Sequence, residues 1–288
     1  MVFISSSALA VYQVLERDDL PHLQPRDESG GGGRYLLQMV LFDAAQGKSL
    51  GTIRLATSGV EPSGVYPTHD GSFVVKTGNS LRLYSSKLEQ IAFRLLPRPD
   101  SDRPQSPIIS VSPSGQQVYV GYRPSAERDV LDADTLELLP NSQRGDWDAE
   151  ANPKAPKFVA KDTSCPWGYE KLTPKYFVGY GCKELKIISS DGELLWDIPE
   201  SEQVVRVLGN ETRLVAELQH RRANPLDLDL VAKPLGLIIY DLTTRTESCR
   251  IPAQFKLPAE ESRSIYFALS KTGGIAVVQQ NVLSFYYP

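Results

Sequence analysis

His22, His69 and His220 are the only histidines in the chain, so any imidazole chemistry, whether general acid–base, nucleophilic or metal-binding, must be assembled from these three. His69 precedes Asp70-Gly71. That pair reads as a turn, because Asp and Gly tolerate left-handed backbone. No nucleophile elbow accompanies a Ser/His/Asp set. Cys165, Cys182 and Cys249 form no C-x-x-C pair and have no neighbouring histidine, which argues against zinc. Cys165 and Cys182 lie nearly symmetrically about Thr173-Pro174. If that dipeptide turns a hairpin, the two face each other across adjacent strands. They then either form a disulfide, which implies an oxidising compartment, or sit together as small buried residues. Cys249 is left over as a thiol.

Phosphate and cation signals are weak. Gly30 to Gly33 are flanked by Arg26-Asp27-Glu28 and Arg34, with no strand leading in and no helix following, so the run reads as a flexible loop tip. Gly47-Lys48-Ser49 has the tail of a phosphate-binding loop, but Phe42 stands where that motif needs glycine. Asp227-Leu228-Asp229 lacks identifiable oxygen partners for calcium. No metal or cofactor is expected. Two groups have the residue types of an interface: Trp147, Trp167 and Tyr169, and the basic cluster His220-Arg221-Arg222. Aromatics and arginines exposed on loops become binding hot spots. The plainer account has Trp147 covering the end of the core and the arginines forming a solvated rim.

These residues need a scaffold, and composition limits which one. The 288 residues are 41% hydrophobic, 9% aromatic and 23% charged, the range of a folded globular protein. The net charge of -4 argues against tracking nucleic-acid phosphates. No apolar run approaches the roughly 18 residues of a spanning helix. The opening MVFISSSALAVYQV lacks a basic leader and reads as a strand. Thirteen Tyr and nine Phe beside two Met, with 21 Gly and 21 Pro as punctuation, favour strands and turns.

A repeat organises the strands. Met39–Asp43, Leu81–Ser85, Asp129–Asp132, Leu185–Ser189, Leu237–Asp241 and Val282–Tyr286 share one pattern, recurring every 42 to 57 residues. A second element precedes most of them: an apolar stub, a polar turn, then another apolar run, as in 65–75, 111–120, 207–217 and 268–278. Each full unit reads as four strands, here A to D, joined by turns such as Asp70-Gly71, Ser114-Gly115, Asp191-Gly192 and Gly273-Gly274. Four-stranded units at this spacing predict an all-β chain folded as a β-propeller rather than a sandwich or a helical solenoid. Six blades are expected in a single domain, at roughly 1–59, 60–100, 106–140, 158–200, 203–258 and 262–288. Seven remain open as an alternative. The last blade lacks its outer strand, and the first starts inside strand A, as though clipped.

Ile109-Ser110-Val111-Ser112-Pro113-Ser114-Gly115, followed by Gln117–Gly121 and Asp132-Ala133-Asp134-Thr135, resembles the YVTN-type propeller repeat. A looser likeness extends to quinoprotein-like and WD-repeat propellers. The resemblance implies a fold and no activity, since propellers host enzymes and binders alike. Alternating strand direction places 17–34 and 219–234, as B–C connections, and 141–157, as a D–A crossover, on one side. The expected function is therefore a non-enzymatic, monomeric binding domain using those loops, with an unknown protein or small ligand as partner. Strand-A segments such as Gly64-Val65-Tyr66 are largely uncharged, which disfavours the alternative of a lactonase-like hydrolase or quinoprotein-like dehydrogenase with a site at the central channel. The compartment depends on the cysteines: periplasmic or secreted with a Cys165–Cys182 disulfide and an upstream signal, cytoplasmic otherwise.

Overall fold

The computed structural model describes residues 1–16, 35–57, 64–96, 107–112, 114–121, 128–140, 168–173, 175–219, 234–253, 265–279 and 282–287. They fall into two compact units, Met1–Ala151 and Asn152–Pro288. Each is built of antiparallel meanders in which chain neighbours are sheet neighbours.

The N-terminal unit holds three meanders. The first runs β1 (Val2–Phe3), β2 (Ala8–Glu16), β3 (Tyr35–Asp43) and β4 (Lys48–Thr57). The second runs β5 (Gly64–Pro67), β6 (Phe73–Thr77), β7 (Ser80–Tyr84) and β8 (Gln90–Leu95). The third has β9 (Ile108–Val111), β10 (Gln117–Gly121) and β11 (Arg128–Asp132), and its outer strand is reduced to a bridge between Leu131 and Leu138.

The C-terminal unit contains β12 (Gly168–Lys171), β13 (Tyr176–Ser189), β14 (Leu194–Gly209), β15 (Arg213–Gln219), β16 (Pro234–Asp241), β17 (Thr246–Pro252), β18 (Tyr266–Leu269), β19 (Ile275–Gln279) and β20 (Val282–Tyr286). Here β12 to β17 form one six-stranded sheet. It is two meanders run together. A straight 14-residue strand would span about 46 Å, yet the Ser190 amide donates to the Lys175 carbonyl at 2.9 Å. The 176–189 run must therefore double back as a B–C hairpin. Ala44 to Ser7, Ala133 to Gln116 and Leu242 to Thr212 make the same bond in other meanders. Likewise β14 serves twice. Leu194 to Pro199 pairs with β13 as an outer strand, and Gln203 to Gly209 pairs with β15 as the next inner one. Among the described residues β18–β19–β20 stands as a three-stranded sheet.

Burial explains why the inner strands read as continuous apolar runs. Phe73 and Val75 of β6 enter a core with Ala10, Met39 and Leu41 of the first meander. Val74, between them, enters a separate core with Val118, Val120 and Leu131 of the third. A strand covered on both faces is apolar at most positions, and any polar residue in it needs a partner. In the C-terminal unit, Val178, Leu185 and Ile187 pack on Ala216, Ile238 and Tyr240 in the same way. The outer strand β8 alternates instead: Ala92 and Arg94 are half-buried, while Ile91, Phe93 and Leu95 are exposed.

Turn chemistry recurs with the repeat. A carboxylate at the end of strand C accepts two backbone amides: Asp43 from Ala45 and Gln46, Asp132 from Asp134 and Thr135, Asp241 from Thr243 and Thr244. This Asx turn fixes the C–D reversal locally. Asp70 and Gly71, as expected of their turn, take positive φ (59° and 73°). The β12–β13 register, with Lys171 opposite Phe177, places a hairpin about Thr173. The proposed Cys165–Cys182 pairing falls on Cys165 and on the Cys182 side chain, both outside the described residues. Among the described residues there is no disulfide, and Cys249 is a free thiol.

Candidate functional site

The sequence-derived interface residues are only partly placed. Trp147, Trp167, His220, Arg221 and Arg222 lie outside the described residues, as do the loops 17–34 and 141–157 and residues 220–233 of the third. Tyr169 is described, on β12. Its ring stacks on Phe177 across the hairpin at 5.6 Å and 11°, and burial raises its hydroxyl pKa. Next to it, Glu170 accepts a 2.7 Å hydrogen bond from the Tyr180 hydroxyl. Burial and that carboxylate together push the Tyr180 phenol well above its usual range. Tyr169 thus belongs to an ordered aromatic and acidic cluster on the fourth meander.

The strand that leads into the 219–234 connection carries a charged cluster not anticipated from sequence. Glu217 of β15 lies directly across from Arg206 of β14. Arg206 donates to the Glu217 carboxylate at 3.1 Å, and the carboxylate is 6% exposed. Arg206 also donates to the Ile265 carbonyl, and its guanidinium lies 4.1 Å over the Phe267 ring. The Ile265 amide and the Gln219 side chain bond Glu217 in turn. Burial raises the Glu217 pKa above the ordinary carboxylate value, against the opposing pull of Arg206. The cluster ties the fifth meander to the sixth two residues before β15 ends at Gln219. Its signal was a charge inside the apolar run RLVAELQ, where a solvated face has no room.

Buried charge recurs elsewhere. Lys186 and Glu184 make a 2.8 Å pair at 9% and 7% exposure. Arg82 is buried against Thr77 and Ser80, to which it donates at 3.0 and 2.8 Å, beside the Phe93 ring. His69 also proves to be more than a turn residue. Its Nδ1 donates to the Gly115 carbonyl at 3.2 Å, and its Nε2 lies 3.3 Å from both Asp70 and Asp134, joining turns of the second and third meanders. Among the described residues no group of three or more His, Cys, Asp or Glu is arranged to hold a metal ion.

A cavity of about 590 Å³ opens in the C-terminal unit, lined by Arg213, Asp241, Ser248, Cys249, Phe285, Tyr286 and Tyr287. It joins the outer strand of the fifth meander to β20 of the sixth. Burial raises the Cys249 thiol pKa, which Arg213 partly offsets.

Six successive antiparallel meanders, the sixth showing three strands among the described residues, make the protein an all-β propeller. No family model matches the chain, and no curated protein matches it. Among solved structures it is similar to the Kluyveromyces lactis protein Hsv2 in a form with loop 6CD replaced by a Gly-Ser linker, at 11% identity over 86% of this chain and 85% of that one, with a TM-score of 0.46. It is also similar to the Neurospora crassa Pan2 WD40 domain, at 9% identity over 97% and 84%, with a TM-score of 0.35. A further similar structure is U3-55K, at 11% identity over 87% and 72%, with a TM-score of 0.34.

Proposed function

We propose that this propeller is a non-enzymatic binding module of YVTN-type repeats. It engages a protein or small ligand through the side bearing 17–34, 141–157 and 219–234, with Trp147, Trp167, Tyr169 and His220-Arg221-Arg222 as contact residues. The observation that carries this reading is the contrast among B–C connections. Between β6 and β7 the link is Gly78-Asn79 alone, whereas β2–β3 and β15–β16 are joined by 17–34 and 220–233. Long excursions from otherwise tight hairpins are where rigid scaffolds place recognition. The Arg206–Glu217 cluster supports it, because it fixes the strand from which the 220–233 connection departs. The YVTN-type detail rests on 106–140, where Asp132 makes its turn bonds to Asp134 and Thr135.

The test is site-specific photo-crosslinking of the full chain in its native cell. Crosslinkers at 147, 169 and 221 are expected to capture one discrete partner. Crosslinkers in the opposite turns, at Asp191 and Lys271, are expected to capture none. Equal capture from both sides, or none from the first three positions, contradicts the proposal.

A further inference from the structure

The joints between neighbouring meanders follow a size rule that one joint reverses. In the C–D turns of the first five meanders one residue takes left-handed backbone: Gly47, Leu88, Leu136, Gly192 and Arg245, with φ between 56° and 88°. Just beyond the turn, the pairing of strand C with the outer strand slips by one residue in the first, second, fourth and fifth meanders. The first outer-strand residue back in register is Gly51, Ala92, Trp196 and Cys249 in turn. Where the second meander meets the first, Leu88 fills the space beside Gly51: a Cβ on that glycine would lie 2.5 Å from a Leu88 methyl carbon. Leu136 of the third meander likewise enters a core against which Ala92 of the second packs. A small residue on the outer strand thus stands with a leucine from the next turn.

Between the fourth and fifth meanders both residues change. The outer strand presents Trp196, and the next turn offers Arg245 in place of a leucine. The plug is missing, and a cavity of about 40 Å³ opens there, lined by Tyr176, Ile187, Leu195, Trp196, Leu242 and Arg245. Its walls are fixed. Trp196 stands edge-on to Tyr240 at 5.6 Å and 85°, and Ile187, its partner in register, is buried. Among the described residues Arg245 is exposed and makes no ion pair or hydrogen bond, and the lining holds no carboxylate. An apolar cavity with one unpaired cation in its wall suits an apolar group that carries a negative charge. One water needs about 10–15 Å³ of such space, so the cavity takes a group of about three non-hydrogen atoms. That is the end of a short branched aliphatic chain.

We propose that the gap between the fourth and fifth meanders is a binding site for a small branched aliphatic carboxylate. The branched end lies among Ile187, Leu195, Trp196 and Leu242, and the carboxylate pairs with Arg245. The occupant is a small molecule, and the site is separate from the loops assigned to recognition above, so either proposal can fail without the other.

The test is NMR of the Trp196 indole N–H in the full-length protein, assigned by Trp196→Phe and titrated with isovalerate. A saturable shift is expected, with half-saturation at about 1–10 mM for a ligand this small. Acetate keeps the charge without the branched end, and isovaleramide keeps the shape without the charge. Each is expected to bind at least about tenfold more weakly. Arg245→Gln is expected to bring isovalerate down to the level of isovaleramide. Arg245→Leu, which restores the plug seen at Leu88 and Leu136, is expected to abolish the shift without lowering the melting temperature. No saturable shift, equal binding of the three probes, or unchanged isovalerate affinity in Arg245→Gln overturns the proposal.

Discussion

Replacing Arg206 with Met isolates the cluster that holds the fifth and sixth meanders together. The substitution removes three interactions at once. Loss of the bond to the Ile265 carbonyl costs about 1 kcal/mol. Loss of the cation over Phe267 costs about 0.5–1 kcal/mol. Stripping a partner from a fully buried ion pair costs about 3–5 kcal/mol, but the Arg206 side chain is 39% exposed and Glu217 keeps Gln219 and the Ile265 amide, which reduces that share to about 1–2 kcal/mol. The sum is about 3 kcal/mol, or on the order of 5–10 °C in the melting temperature of a chain this long. The sign of the pH dependence follows from Glu217. Its folded pKa is raised, so its contribution is full at low pH and is lost as pH rises through the folded value. Without Arg206 to oppose burial the rise is larger, so the penalty of Arg206→Met is greater at pH 8 than at pH 5. Thermal and urea unfolding of wild type, Arg206→Met, Glu217→Gln and the double variant measures both effects, with a coupling energy of about 1–2 kcal/mol expected. A penalty under about 0.5 kcal/mol, a vanishing coupling or a pH-independent loss refutes the reasoning.

Other outcomes follow from single positions. Gly115 has φ +78°, and a Cβ there would stand 2.5 Å from the His69 amide nitrogen; Gly115→Ala is expected to cost about 2 kcal/mol or more in urea unfolding, and a cost near zero would deny the turn-to-turn contact. Replacing Lys186 alone by Met removes the cation from a buried carboxylate and costs up to about 3–5 kcal/mol, whereas Glu184→Met with Lys186→Met costs less than the two single changes added together; additive losses would contradict this. The Cys249 thiol titrates above its usual range because of burial, so its alkylation rate continues to climb beyond the pH at which a free thiol levels off; a plateau at the ordinary value would show otherwise.

Much of the fold was readable because its determinants are local. Asp70-Gly71 and Ser114-Gly115 mark turns whose glycines take positive φ, and Asp43, Asp132 and Asp241 each cap a reversal from within their own segment. Residue period separated the outer strands from helices, although the inner strands proved buried on both faces, as β6 shows with five consecutive buried residues, Lys76 and Thr77 among them. What could not be read is nonlocal. Arg206 meets Ile265 and Phe267, 59 and 61 residues on, through an adjacency that no motif records. The joining of two meanders through β14 likewise depends on two registers in one strand. The charges inside RLVAELQ, LKIIS and LRLY were the available clue, since a charge in a doubly covered strand needs a partner. The loop residues carry no such internal constraint, and their role rests on the strands that hold them.

Hydrogen exchange of the full chain at single-amide resolution tests the repeat most directly. Six copies of one meander require the slowest amides in the B strands, at Val74, Val118, Val178, Val215 and Val277 among others, with β3, β7 and β16 nearly as slow. Protection that ignores this spacing, with the B strands no slower than β8 or β17, would contradict the repeat of one meander.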